Sequence, residues 1–305
     1  MDRLQSMRVF AKVVEQGSFA RAAQALAMSN TVVTRNLADL EAHLGTRLLN
    51  RTTRKLSLTE TGKQYLERVQ QILTDIDDAD ALASSSSRKA SGTLRIFCQT
   101  GFGQSQLAAL LPLYAAAMPE VTLDVTLADS TVDLVEEGYD IGILLGLQKF
   151  DATMIARKLA SSRIVLCASP AYLARSGTPV TPMDVSEHQC LNFAFDMLRH
   201  SWPVQWDDEH LDVPITSRMV SNNGAVLRQA ALAGMGIMIR SSFTLEDDLT
   251  SGRLVQLLEG HHLGSMSINM VYPSRRLLSC KVRTFVEFMA AKFPQPETDP
   301  WLDPA

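Results

Sequence analysis

The 305-residue sequence contains no uninterrupted apolar run approaching the roughly 18 residues that cross a bilayer, and its first residues, "MDRLQSMRVFAKVVEQGSF", hold no apolar stretch of signal-peptide type. The expectation is a cytoplasmic protein with no membrane partner. The four cysteines, Cys98, Cys167, Cys190 and Cys280, are irregularly spaced with no Cys-x-x-Cys pair, which argues against a disulfide framework or a zinc site. Nothing cationic beside Cys98 or Cys167 lowers a thiol pKa, so buried, unreactive thiols are expected rather than a redox sensor. Also missing are a Gly-rich phosphate loop, a Gly-x-Ser-x-Gly elbow and a metal-spaced set of His and Asp. The adjacent His261 and His262 sit in a polar loop beside Gly260 and Gly264, where histidines are more often solvated than ligating. No cofactor or metal is expected, and these absences oppose an enzyme.

With 46% hydrophobic and 20% charged residues the chain reads as globular, and its length favours about two domains. Charge is unevenly spread. Residues 1–60 carry nine Lys and Arg against five Asp and Glu, while the whole chain has a net charge of −4, so the remainder is strongly acidic. A small basic module on an acidic body suggests that one end meets a polyanion.

Leu4, Met7, Phe10, Ala11 and Val14 recur at helical spacing, which predicts an amphipathic helix over residues 2–16, ended by Gly17. Ser18 is a good N-cap for a short alanine-rich second helix, and Ser29 or Asn30 caps a third. In the third, "NTVVTRNLADLEAHLG", Val33, Leu37, Leu40 and Leu44 make the apolar stripe. Thr31, Thr34, Arg35 and Ala38 form a second face concentrated in the first turns. A helix entering the DNA major groove uses its first turns in this way, although a plain solvated face has the same composition. "RLLN" and "KLSL" then alternate as two strands around "RTTR", predicting a hairpin wing whose tip carries Arg51, Thr52, Thr53 and Arg54, groups suited to phosphates or a narrow minor groove. Thr59 can cap a long helix running to about Ser87. Along it Tyr65, Val69, Ile72, Ile76, Ala79 and Ala83 form a heptad-like seam too narrow for a full core face, so a second copy of the chain is the natural partner; packing on its own domain is the other reading.

The stretch "MRVFAKVVEQGSFARAAQALAMSNTVVTRNLADLEAHLGTRLLNRTTRKLSLTETG" resembles the LysR-type transcriptional regulators, in the branch with "RTTR" in the wing. The likeness extends over nearly the whole chain through "VDLVEEGYDIGI", "LCASPAYLARSG", "AALAGMGIMI" and "YPSRRLLSCKVRTFVEF". It implies a DNA-binding winged helix-turn-helix over 1–60, with DNA contacts among Ser18, Ser29, Asn30, Thr31, Thr34 and Arg35 and, in the wing, Arg51, Thr52, Arg54 and Lys55. The linker and dimerisation helix with its hinge is expected over 61–92.

"SSSSRKASG", residues 84–92, is small and polar, as a hinge is. Beyond it strand and helix patterns alternate: "TLRIFC", "QSQLAALLPLYAAAM", "VTLDVTL", "STVDLVEEG" as a helix, then "YDIGILLG". A second series follows, and the chain returns with "SINMVYP" and "KVRTFVEFMAAKF". The fold class is thus α+β and α/β: a winged helix-turn-helix, a long linker helix and two mainly parallel α/β lobes. The effector domain is expected over 93–295, with lobe I about 93–162 and 266–293, lobe II about 163–265, and 296–305 as a tail. Such lobes leave a cleft between strand ends and helix N-termini where small molecules bind, and the resemblance implies a periplasmic-binding-protein-like effector domain. Gln99, Thr100, Gly101 and Phe102 after the first strand, Ser130 and Thr131, Leu144, Phe193, and Asn222 and Asn223 are the candidate lining, with Thr100 and nearby N–H groups placed to hold a carboxylate. Plain helix capping is the equal alternative for Ser130, Asn222 and Asn223. Relatives of this branch often carry an arginine in the strand written here "DIGILLG". Leu144 and Leu145 replace it, which shifts the expected effector from a simple carboxylate toward something more apolar or aromatic.

The expected partners are double-stranded operator DNA, a small-molecule effector, and further copies in a homodimer through the linker helix and a homotetramer. A bilobed enzyme and a solute-binding protein for transport are the rivals; the basic module and the missing signal peptide oppose the latter.

Overall fold

The computed structural model describes residues 2–51, 56–83, 89–146, 153–195, 198–206, 209–245, 247–260, 263–274 and 278–303, leaving undescribed the side chains of 51, 67, 71, 74, 75 and 77–83. The chain divides into two compact units, Met1–Lys89 and Ala90–Ala305.

The first unit holds α1 (Arg3–Gln16), α2 (Phe19–Ala25), α3 (Asn30–Leu44), β1 (Leu49–Arg51), β2 (Leu56–Leu58) and α4 (Glu60–Ala83). The first three helices start at side chains that satisfy orphan amides: Asp2 accepts from the Gln5 N–H, Ser18 from Arg21 and Ser29 from Val32. Gly17 and Gly45, both left-handed, end α1 and α3. The core joins Val9, Phe10 and Val13 to Ala22, Ala23, Val33, Leu37, Leu40, Leu48 and Leu49. The stripe of α3 is the expected one. That of α1 is rotated: Ser6, Val9, Phe10 and Val13 are buried, and Leu4, Met7, Ala11 and Val14 sit at its edges. Ser6 tolerates burial because its hydroxyl lies 2.9 Å from the Asp2 carbonyl and 3.1 Å from Asn36 Oδ1.

β1 and β2 pair antiparallel, with Leu49 opposite Leu58 and Arg51 opposite Leu56. Glu41, near the end of α3, accepts from the N–H groups of Leu48 and Leu49 at 2.9 and 3.2 Å and so fixes the wing to the helix. Thr59 caps α4 by accepting from the Gly62 N–H, while its own N–H and hydroxyl reach the carbonyls of Leu48 and Arg47. A Cβ at position 62 would overlap the Leu48 carbonyl, which is why the motif ends in glycine. On α4 the expected seam divides. Tyr65 and Leu66 pack on the domain's own core, Tyr65 against Phe10 at 5.9 Å, and Val69 is buried, whereas Ile72 is 43% exposed. Ala79, Ala83 and the hinge residues 84–88 lie outside what is described, as do His261 and His262.

The second unit begins with β3 (Gly92–Cys98), then α5 (Thr100–Phe102), which runs through the π-helical Gly103–Leu107 into α6 (Ala108–Ala117). β4 (Val121–Leu127), β5 (Ile141–Leu145) and the 15-residue β6 (Met154–Ala168) follow. Next come α7 (Pro170–Ser176), β7 (Gln189–Phe193), β8 (Ser201–Trp206), β9 (Glu209–Pro214), β10 (Thr216–Ser221), α8 (Gly224–Leu232), β11 (Ile237–Ser241), β12 (Val255–Leu257), β13 (Ser265–Pro273) and α9 (Cys280–Lys292). Among the described residues one sheet runs β10-β7-β11-β6-β13-β5-β3-β4, with β12 on β6. The parallel β4-β3-β5 and β10-β7-β11 ends belong to different lobes, and β6 joins them, pairing with β13 up to Arg163 and with β11 from Ile164. Ile96, Ile141, Ile143, Met270 and Phe285 centre the core of the first lobe; Leu166, Trp202, Ile237 and Ile239 centre one side of the second. In the "YDIGI" motif, Asp140 Oδ2 accepts from the Arg95 N–H at 2.9 Å and faces the buried Lys281 Nζ at 3.3 Å.

Three expectations are corrected. Residues 130–138 hold one turn, over 134–138, rather than a helix: Asp133 caps it by accepting from the Val135 and Glu136 N–H groups, and the left-handed Gly138 ends it at once. The β8–β9 hairpin has no counterpart in the sequence reading. Residues 296–303 are not a free tail. Asp299 is buried, Trp301 packs edge-on against Phe102 and Phe243, and Leu302 meets the second lobe's core.

Two substitutions test this packing. Gly62→Ala should destabilise the first unit despite the ~1 kcal/mol helix preference for alanine, because overlap with backbone costs more; an unchanged or raised urea midpoint would show that the contact relaxes freely. Trp301→Ala should cost the second unit about 2–4 kcal/mol in the same experiment, and wild-type stability would remove residues 296–303 from the fold's framework.

Candidate nucleic-acid interface and effector cleft

The exposed face of α3 is the one its sequence marks. Asn30, Thr31, Thr34, Arg35 and Ala38 are all exposed, with the Arg35 side chain 82% so. Thr34 donates to the Asn30 carbonyl at 2.9 Å, and Arg35 has only a distant Asp39 at 3.9 Å. Salt bridges this exposed contribute little, so the guanidinium is available to another partner. Ser18 and Ser29 serve as N-caps, their hydroxyls turned to the first amides of α2 and α3. Arg51 is placed by its backbone in β1; Thr52, Thr53, Arg54 and Lys55 lie outside the described residues. Glu41 is the supporting residue that sequence reasoning missed. It acts through two backbone amides, which no pattern of residue types announces.

In the second unit the candidate residues have different roles, and Gly101 and Phe102 meet Phe243 across the lobes. Gln99 holds β5, its side-chain oxygen accepting from the Leu145 N–H. Phe102 is fully buried against Phe243, and Leu144 is buried with Phe97, Leu134 and Val271, so both are core. Gly101 lies beside Phe243 of the 3-10 turn Ser242–Thr244, which directly follows β11. That contact brings the carboxyl ends of β3 and β11 together from opposite lobes. The Thr100 N–H, expected to be open to a ligand carboxylate, is taken by Asp129 Oδ1 at 3.0 Å. Ser130 and Thr131 are exposed in the turns beyond it.

On the second lobe Asn223 caps α8, its Oδ1 accepting from the Ala225 and Val226 N–H groups at 2.9 and 3.3 Å, and Asn222 is exposed. Phe193 ends β7, half-buried, and stacks on Phe195 with centroids 5.4 Å apart. Two residues were missed: Asp129, and Arg240 near the end of β11, whose guanidinium lies 5.5 Å from the centroid of the Phe193 ring. Burial brings the Arg240 pKa down to about 10, with Arg228 adding to the effect, so the group stays charged at neutral pH.

Three of the four cysteines are buried as expected, but Cys167 does have a cationic neighbour, Arg240, whose pull on the thiol is outweighed by desolvation. Cys98, Cys167 and Cys190 are buried, and desolvation raises all three thiols, Cys167 and Cys190 to about 12. Among the described residues no group of His, Cys, Asp and Glu is arranged to hold a metal, and no helix is long and apolar enough to cross a membrane.

Comparison with known proteins agrees with this arrangement. Residues 4–63 match the bacterial regulatory helix-turn-helix protein model of the lysR family, and residues 87–294 match the LysR substrate binding domain. The regulator CrgA of Neisseria meningitidis serogroup C is 35% identical over 93% of this chain and 95% of its own length. DmlR of Escherichia coli is 35% identical over 95% and 94%. A solved structure of CrgA from Neisseria meningitidis aligns with a TM-score of 0.62 at 33% identity, covering 95% of this chain and 99% of that one. The chain therefore belongs to the LysR family: it is a DNA-binding transcriptional regulator with an effector-binding substrate domain.

Proposed function

We propose that α3 reads operator DNA in the major groove through Asn30, Thr31, Thr34 and Arg35, that Ser18 and Ser29 lie at the flanking backbone, and that the wing residues Arg51, Thr52, Arg54 and Lys55 hold phosphates beside the minor groove. The observation that carries this reading is the polar, outward face of α3, whose one arginine is left largely unpaired. Residues 1–60 act as the DNA-binding module, 61–92 as linker and 93–295 as effector domain. The exposed Ile72 on α4 supports a homodimer through that helix, and two dimers pair as a tetramer. The protein works in the cytoplasm and regulates rather than catalyses. A small molecule binds where the carboxyl ends of β3 and β11 meet, and its binding alters the angle between lobes and so the spacing of DNA-binding modules.

Gel shifts across a salt series, using DNA upstream of neighbouring genes, test the DNA contacts. Arg51→Ala/Arg54→Ala should weaken binding to all sequences and flatten the slope of log K against log salt by about 0.9 per lost phosphate contact. Arg35→Ala should instead narrow the gap between operator and unrelated DNA. Equal binding by wild type and the wing double variant would sink the assignment.

A further inference from the structure

We propose that the effector is a small carboxylate with an aromatic or similarly flat apolar body, its carboxylate bound by Arg240 at the N-terminus of α8. The proposal rests on the reading that the effector binds between the lobes, and it names the chemistry of that site.

Arg240 is only 9% exposed, and its Nε is buried without a hydrogen-bond partner. Among the described residues no carboxylate or carbonyl accepts from its side chain; the Phe193 ring centroid lies 5.5 Å away, and the charged side chain that acts on it, Arg228, has the same sign. Arg228, a second arginine of this lobe whose side chain is 13% exposed, shows what is missing. Arg228, on α8, makes a two-pronged pair with the fully buried Asp248, which Arg253 also reaches at 2.9 Å. A buried guanidinium without a counter-charge is unfavourable, and a cation–π contact offsets only a small part of that cost. The position asks for an anion.

Its direction says where the anion sits. A Cβ placed on Gly224, the first residue of α8, would overlap the Arg240 guanidinium, so the side chain reaches directly into the helix N-terminus. α8 is nine residues long, and its cap, Asn223, is neutral, so the positive end of its dipole adds to the arginine's charge. Beside this charge Phe195 is held 58% exposed by stacking on Phe193. An exposed phenyl ring next to a buried cation is a surface for a flat apolar group whose other end is negative. The first lobe lacks the arginine common in "DIGILLG", and Asp129 fills its nearest helix terminus. The cation for the effector therefore comes from β11.

Titration calorimetry on the full-length protein, with phenylacetate as probe, phenylacetamide as its uncharged counterpart and inorganic phosphate as a general anion, tests this. Wild type should bind phenylacetate at least about 10-fold more tightly than either control, the discrimination expected of a charge-assisted hydrogen-bonded pair. Arg240→Gln should lose that preference and Arg240→Lys should keep part of it. Gly224→Ala, which retains the guanidinium but pushes it aside, should weaken phenylacetate without affecting a fold monitored by circular dichroism. Phenylacetate bound equally by wild type and a folded Arg240→Gln, or no better than phenylacetamide by wild type, would overturn the proposal. If phenylacetate fails while phenylacetamide shifts DNA binding, the effector cleft stands and the anion site falls.

Discussion

A single buried carboxylate holds the junction on which the effector domain depends. Asp299 is 4% exposed and accepts from four donors: the Arg163 N–H and the Ser242 hydroxyl on one oxygen, and the N–H groups of Trp301 and Leu302 on the other. Ser162 donates in turn to Ser242. Arg163 is where β6 stops pairing with β13 and begins to pair with β11, and Ser242 directly follows β11. An ion taken from water is tolerated only when its lone pairs are filled, and here the groups that fill them come from the crossover strand, the second lobe and the terminal segment. Trp301 extends the same fastening by packing on Phe293 of the first lobe and donating to Gln106 at 2.8 Å. Asp299 thereby ties β6, the segment after β11 and the terminal residues together at one point.

Whether a feature was legible in the sequence depended on how local its cause was. Caps and left-handed glycines act within four residues, so the bounds of α1, α2 and α3 could be read from Asp2, Gly17, Ser18, Ser29 and Gly45. The rotated stripe of α1 shows the limit of periodicity. Ser6 is polar by type and yet buried, because Asn36 on α3 supplies an acceptor no window on α1 contains. The seam on α4 was misread in part for a related reason. Its period is real, but Tyr65 and Leu66 meet the domain's own core and Val69 is buried, while Ile72 is exposed and Ile76 half-buried.

In the effector domain β3, β4, β5 and β13 and the helices α6 and α9 were legible from their apolar runs and periods, and three segments were not. Segment 130–138 has helix-like spacing of Val132, Leu134 and Val135, but the Asp133 cap and the left-handed Gly138 leave room for a single turn between them. The β8–β9 hairpin hides behind Pro203, Pro214 and its acids, although Trp202 and Val204 alternate inward as a strand should. Residues 296–303 look like linker by composition, and Trp301 is their one signal of packing. Of the candidate lining, the loop after β3 and the turn before α8 could be named because helix starts have recognisable residues. Asp129 and Arg240 were missed because each acts on an element distant in sequence.

The two helix starts that face the cleft are satisfied in chemically opposite ways, and this gives the site a direction. On the first lobe the cap at Thr100 is Asp129, an exposed carboxylate that neutralises the helix end and repels a second anion. On the second lobe the cap is Asn223, which takes the second and third amides of α8 without charge and leaves the dipole to act together with Arg240. A ligand carrying charge at one end only meets a penalty on one side and an attraction on the other. The difference is large where water is excluded, since the same charges interact several-fold more strongly there than at the surface. Placing the cation on β11 rather than β5 also ties it to the segment that runs straight into Ser242 and the Asp299 junction. A displacement of the guanidinium is thereby transmitted along one short strand end to the point where the lobes are joined.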